Sequence, residues 1–269
     1  MTYCTQVEHN NHYTTDMVYT ILIFVCSDYL QIQSNLLLFY FCFSDSSTSH
    51  KFENIVMRNN EDGAIFYQNI GEINPSIYFD RCWIEGNGLA ILNLTSPPVI
   101  NFNIQNTLIL NFQHSLVSKN KGGMYIHANA QSFSTHLQAN ITNNVFSYGT
   151  NGEALNISGH HFQQFHFYEN HIFNYSVGDY RDVIHMQNVG TNFTFNIIEN
   201  NVGHYILRIF NKEDTDALQR FYANAFSQNN VTALRRSTIK VGSGHPLINV
   251  NYLVNPESDF ELETNPIVE

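Results

Sequence analysis

A short apolar segment bracketed by asparagine recurs along this chain at nearly even intervals. Residues 196–201 read NIIENN, while NHIFN starts at Asn170, NAFSQNN at Asn224 and NYLVN at Asn251. The first asparagines of five such segments, Asn144, Asn170, Asn196, Asn224 and Asn251, are 26, 26, 28 and 27 residues apart. Upstream, Asn54 and Asp80 open similar segments 26 residues apart, and the stretch from Asp80 to Asn144 accommodates two longer turns. Self-similarity at a fixed period is the signature of a solenoid, propeller or array.

The unit length selects among these. FTFNII, FHFYENHIF and INFNIQ alternate or cluster β-branched and aromatic residues, with little helical periodicity. A unit of about 26 residues is too long for a hexapeptide coil and too short for a propeller blade of ~40–45 residues. It suits one coil of three strands and three turns. The predicted fold is therefore all-β, a right-handed parallel β-helix of about eight coils from Phe52 onward.

Coils of such a stack lie ~4.8 Å apart, so equivalent residues sit over one another and each turn must satisfy the same backbone groups. Asparagine tolerates left-handed dihedrals, and its amide can bond to its copies above and below. The brackets are accordingly read as turn residues and ladders, with Asn54 and Asp80 in the same column as Asn144. In DVIHMQ, alternation turns Ile184 and Met186 inward and Val183, His185 and Gln187 outward. It likewise turns Leu207, Ile209, Ile239, Val241, Phe260 and Leu262 inward, and Arg208, Lys240, Glu261 and Glu263 outward. His185, Arg208 and Lys240 then form a mildly basic candidate contact stripe, one residue per successive coil.

Charge and cysteine narrow the class. Charged residues make up 13% of the chain, about half the usual share. A formal net charge of −11 argues against nucleic acid or an anionic membrane as partner. Cys4, Cys26, Cys42 and Cys82 form no CxxC, and three of the four precede residue 43, so neither a zinc site nor a disulfide framework is expected in the main body. Six N-x-S/T sequons start at Asn93, Asn140, Asn156, Asn174, Asn192 and Asn230, which favours an extracellular or cell-surface glycoprotein. Asn140 and Asn192 each precede an aligned asparagine by four residues and should share one position two coils apart; Asn93 and Asn156 should share another.

The first 50 residues do not conform. They contain no lysine or arginine, and their apolar bursts MVYTILIFVC and LLLFYFCF are shorter than the ~18 residues of a membrane span. The neutral to acidic opening lacks the n-region of a signal peptide. FYFCFS is what a pyrimidine-rich splice-acceptor tract encodes, so residues 1–50 read as an artefact of gene prediction outside the fold. Residues 51–269 form the β-helix domain.

Parallel β-helices host polysaccharide lyases and hydrolases, which need stacked carboxylates for calcium or paired acids facing one cleft. In the 26-residue register Glu169 stacks with Phe195 and Glu199 with Phe173, so these acids do not converge. GDYRDVIH gathers Asp179, Arg181, Asp182 and His185, with Tyr205 and Arg208 from the neighbouring coil; a solvated turn with an ion pair is the preferred reading. Thirteen histidines, including His160, His161, His166 and His171, show no metal-ligand spacing, and Arg235 and Arg236 read as part of an exposed strand. No catalytic residue, cofactor or metal is assigned.

GEALNISGHHFQQFHFYENHI, DYRDVIHMQNVGTNFTFNIIENN, STIKVG and NYLVNPESDFELET resemble the β-helix repeats of the bark beetle (Anakonda) family of animal proteins, over roughly residues 52–264. The resemblance implies a large single-pass membrane protein of epithelial tricellular and septate junctions. Its ectodomain would carry several β-helix blocks beside scavenger-receptor-type and lectin-like modules. This chain would be a fragment or short relative of such an ectodomain, with no catalytic residues carried over. The resulting expectation is a non-enzymatic extracellular adhesion or scaffold segment whose partners are other junction or adhesion proteins, with glycans as a second class. The alternative is a carbohydrate-binding or polysaccharide-lyase-like β-helix protein.

Overall fold

A computed structural model describes residues 30–33, 39–43, 49–60, 63–69, 76–88, 99–104, 108–128, 137–178, 180–210, 219–232, 238–242, 246–249, 252–254 and 260–263. The described strands form a parallel β-helix. One sheet stacks nine short strands: Leu30–Gln33, Ile55–Arg58, Trp83–Glu85, Leu116–Ser118, Val145–Ser147, His171–Phe173, Ile197–Glu199, Ala225–Ser227 and Tyr252–Val254. A second sheet of fifteen strands wraps the rest of each coil, and a two-stranded sheet pairs Val202–Gly203 with Asn230–Val231.

Each coil runs two strands of the second sheet and then one short strand. Ile100–Ile104, Leu108–Gln113 and Leu116–Ser118 make up one such coil. The two arms of the second sheet fuse where Leu155–Tyr168 pairs with Ile184–Thr194, through register shifts between Ser158 and Phe165. Nine stacked short strands stand against about eight expected, and the additional one is Leu30–Gln33, paired with Ile55–Arg58. Phe39–Phe43 pairs with Ile65–Asn69, and Ser49–Glu53 with Ser76–Asp80. Strands of the solenoid thus begin ahead of the division drawn at residue 51, which falls inside Ser49–Glu53.

The two brackets of each short strand are two ladders inside the solenoid. Asn144, Asn170, Asn196 and Asn224 are all buried. The Oδ1 of each of the last three accepts the backbone N–H of the asparagine one coil earlier, at 2.9–3.0 Å. It also accepts that residue's Nδ2 at 3.0–3.2 Å. Each Nδ2 further donates to the carbonyl of an inward strand residue, Phe112, Ile141, Phe167 or Phe193. Asn60, Asn87 and Asn120 repeat the arrangement at the other end of the short strand, as do Asn201 and Asn229. Between those two runs the column is filled by Gly149 and Tyr175. A Cβ at Gly149 would lie 2.0 Å from Tyr175 Cε1, so the ring occupies the space that a side chain would take.

Three expectations change. Asn54 and Asp80 are not ladder members; upstream of Asn144 that column holds Ser115, whose Oγ accepts the Cys82 N–H at 3.0 Å, and then Cys82 itself. Nor do the ladder asparagines carry the left-handed turn. Positive φ falls one residue earlier, on Arg81, His114, Asn143, Glu169, Phe195 and Ala223, so the stack imposes it on whatever side chain stands there. Val183 is buried rather than outward, because each coil bends at that point and turns two consecutive residues inward. The same pairing appears in Ala64–Ile65, Val99–Ile100, Ala154–Leu155 and Ile206–Leu207, all buried. Here the backbone closes the corner without an amide: Ala154 and Leu155 both donate to the Val183 carbonyl.

The interior between the sheets is stacked aliphatic and aromatic side chains. Phe167 lies 5.0 Å from Phe193, ring planes 11° apart, and Phe52 4.8 Å from Phe79. Ile184, Met186, Leu207, Ile209 and Ile239 face inward as expected. Side chains of Val241, Phe260, Leu262, Glu261 and Glu263 lie outside the described residues.

Candidate interaction surface

The register sets His185 against Arg208 and Arg208 against Lys240, on successive coils of the second sheet. Their charges are answered locally. Asp182, buried, accepts from His185 Nδ1 at 2.9 Å and lies 3.8 Å from Arg208 Nη1, while its other oxygen accepts the Tyr205 N–H at 3.3 Å. The Tyr205 ring lies 5.3 Å from Lys240 Nζ and 6.0 Å from the Arg208 guanidinium. The stripe is thus a compensated cluster, not a row of free cations.

Arg181 turns to the coil before. Its Nη1 lies 3.2 Å from Glu153 Oε2 and 3.3 Å from the Tyr125 hydroxyl, which itself bonds Glu153. Burial, followed by the Glu153 charge, pushes the Tyr125 hydroxyl well above its ordinary range, so it stays protonated. Glu153 was missed in the sequence; it stands one coil, 28 residues, before Arg181. Asp179 lies outside the described residues, as do Arg235 and Arg236 and the side chains of His160 and His161. Among the described residues no group of His, Cys, Asp and Glu is arranged to hold a metal ion, and no helix is long and apolar enough to cross a membrane.

The sequons take distinct positions. Asn140 pairs with His166 and His166 with Asn192, which puts Asn140 and Asn192 at one strand position two coils apart. Asn140 Nδ2 bonds Asn111 Oδ1 at 2.8 Å. Asn156 shares its column with Tyr125 and Asn101, and Asn93 lies outside the described residues. Asn174 stands at a left-handed corner and Asn230 is exposed.

The outer face of the nine-stranded sheet divides into two halves. Upstream it is ion-paired: the Arg58 guanidinium lies 3.6 Å from the Trp83 ring centroid, its Nε stands 3.2 Å from Glu85 as an ion pair, and Glu85 accepts from Lys119 Nζ at 2.8 Å. Downstream it is aromatic. Tyr148 meets Phe173 edge-on at 5.5 Å, and at the corner Phe195 meets Tyr168 at 5.5 Å and Tyr222 at 5.6 Å, the last residues of two strands of the second sheet. Tyr148 is 51% exposed and Phe195 47%. Each was visible in the sequence, but only the corner geometry reveals that both stand exposed at left-handed corners, at opposite ends of the short strands.

These features define a parallel β-helix with buried amide ladders and an outer surface of paired charges and clustered aromatics. The chain is similar to protein bark beetle of Drosophila melanogaster, with 30% identity over 210 residues that cover 75% of this chain and 7% of the relative. That match shows a bark beetle-like relationship, and the chain spans about 7% of the relative's length. No family model matches the chain, and no solved structure matches it.

Proposed function

We propose that this chain is a non-enzymatic, extracellular scaffold segment that contributes an adhesive surface to an epithelial cell junction. The observation that carries the reading is the bark beetle-like relationship, which runs along the β-helix itself and covers most of the chain. Two features support it. Asp182 and Glu153, the acids of the cluster around Arg181, are committed to pairs with His185 and Arg181, and the Tyr125 hydroxyl beside them is held protonated. The six sequons fit an extracellular glycoprotein.

The reading is tested with the full chain, secreted from eukaryotic cells and applied to epithelial monolayers. It should concentrate at cell contacts, carry glycan on at least one sequon, and release no unsaturated product from polyuronates. Turnover abolished by Asp182→Ala would overturn the scaffold reading in favour of a lyase-like enzyme.

A further inference from the structure

We infer that the downstream half of the nine-stranded sheet's outer face is a docking surface for arginine and lysine side chains of a protein partner; the inference rests on the scaffold reading above. The molecule contains its own template. In the upstream half an aromatic ring, Trp83, and a carboxylate, Glu85, flank the Arg58 guanidinium, which lies over the ring at 3.6 Å and forms an ion pair with the acid at 3.2 Å. A guanidinium suits such a place because its plane stacks on the ring while its edge donates to the acid.

The downstream half repeats the ring and the carboxylate without lysine or arginine in its four segments; at Phe173 and Glu199 the His171 ring takes the cation's place, 4.5 Å from the phenyl centroid and 2.9 Å from the carboxylate. Glu169 and Phe195 occupy the same left-handed corner on consecutive coils, ~4.8 Å apart by coil spacing. Phe173 and Glu199 are direct partners in the short-strand register. Glu199 lies 2.9 Å from His171 Nε2, and exposed Glu169 stands beside the Tyr168 hydroxyl, whose pKa it raises. Residues 143–148, 169–174, 195–200 and 223–228, which build this half, include two glutamates and no lysine or arginine. Arg220 stands two residues before Tyr222 on the adjoining sheet.

Charge selects the occupant. A second copy of a chain with formal net charge −11 would meet this face with like charge, whereas a basic surface would be drawn to it. Exposed aromatics rimmed by carboxylates match arginine and lysine, whose stems cover the rings while their heads reach the acids.

The test is calorimetric titration of the full chain with a synthetic peptide of alternating arginine and alanine, its neutral citrulline counterpart, and an oligomer of N-acetylglucosamine. The arginine peptide should bind at least about tenfold more tightly than the citrulline peptide, and Phe195→Ser should weaken it about threefold. Ile109→Ser, an exposed change on the other sheet, should leave it unaltered. Equal affinity for the citrulline peptide, no binding of the arginine peptide, binding of the saccharide in its place, or full affinity in folded Phe195→Ser would each overturn the inference. Should circular dichroism show that Phe195→Ser does not fold, Glu169→Gln/Glu199→Gln decides, and unchanged affinity there refutes it. Peptide binding lost while the chain still concentrates at cell contacts sinks this inference alone. Contact enrichment lost while peptide binding persists sinks the scaffold reading.

Discussion

Removing one amide from the middle of the first ladder should cost more than its own hydrogen bonds suggest. Asn170 Oδ1 accepts the Asn144 backbone N–H and Nδ2, both at 3.0 Å, and its Nδ2 donates to the Ile141 carbonyl at 2.7 Å. Asn170→Ala strands a backbone N–H that has no route to water, since Asn144 is 1% exposed. An unmet buried donor costs roughly 1–3 kcal/mol, and the deprived carbonyl and small void add to it. The expected total is about 3–4 kcal/mol, or a fall of about 10 °C in unfolding midpoint. Asn170→Ser supplies an internal control, because Ser115 already performs this duty: its Oγ accepts the Cys82 N–H and donates to the Gln113 carbonyl two residues back. A serine at 170 should therefore restore about half of the loss. Asn170→Asp keeps the acceptor but buries a carboxylate against the Ile141 carbonyl and Asn196 Oδ1, and should be worse than alanine. Urea titrations followed by circular dichroism give the ranking. An alanine cost below about 1 kcal/mol, or serine no better than alanine, would refute the ladder as a stabilising device.

Gly149→Ala should destabilise by about 3 kcal/mol or more, because its Cβ would fall within 2.0–2.7 Å of the buried Tyr175 ring. Tyr175→Phe should raise the unfolding midpoint, since its buried hydroxyl has no hydrogen-bond partner among the described residues. Burial raises the Asp80 carboxyl, but His114, Arg81 and Gln113 outweigh it and hold the group below its usual range. Its contribution is therefore present above the ordinary aspartate value and lost as pH falls through the lower folded one. Acid titration of stability should show this loss, and Asp80→Asn should flatten it. Burial pushes the Cys82 thiol up to about 11, so it should resist alkylation at pH 8 in the native protein and react after unfolding, as mapped by mass spectrometry.

Much of this fold was legible in the sequence because a solenoid repeats its constraints. The 26-residue step between Asn144, Asn170 and Asn196 gave the coil length and hence the stacking. Misreadings arose where a role is shared by unlike residues. Ser115 takes the place of an asparagine, so the ladder column cannot be followed by residue type through the longer upstream turns. The left-handed corner accepts Glu169, Phe195 and Ala223, none of which announces a turn. The surface was less legible still. Glu153 meets Arg181 only through a register of 28 residues, and the ring–carboxylate pairs at Glu169 and Glu199, although placed correctly, acquire meaning only beside Arg58 on Trp83.

The interrupted second ladder has a mechanical consequence. A pull along the solenoid axis loads the bonds between coils in series, so neighbouring coils separate boundary by boundary rather than all together. Among the described residues the boundaries on either side of Gly149, toward Asn120 and toward Tyr175, have no amide clasp in that column, so they are where the stack should first yield. Each coil that peels away would release about 26 residues, or roughly 90 Å of extended chain, while the coils on either side stay closed. In the junction role proposed for it, the segment would then lengthen in steps under tension before it let go.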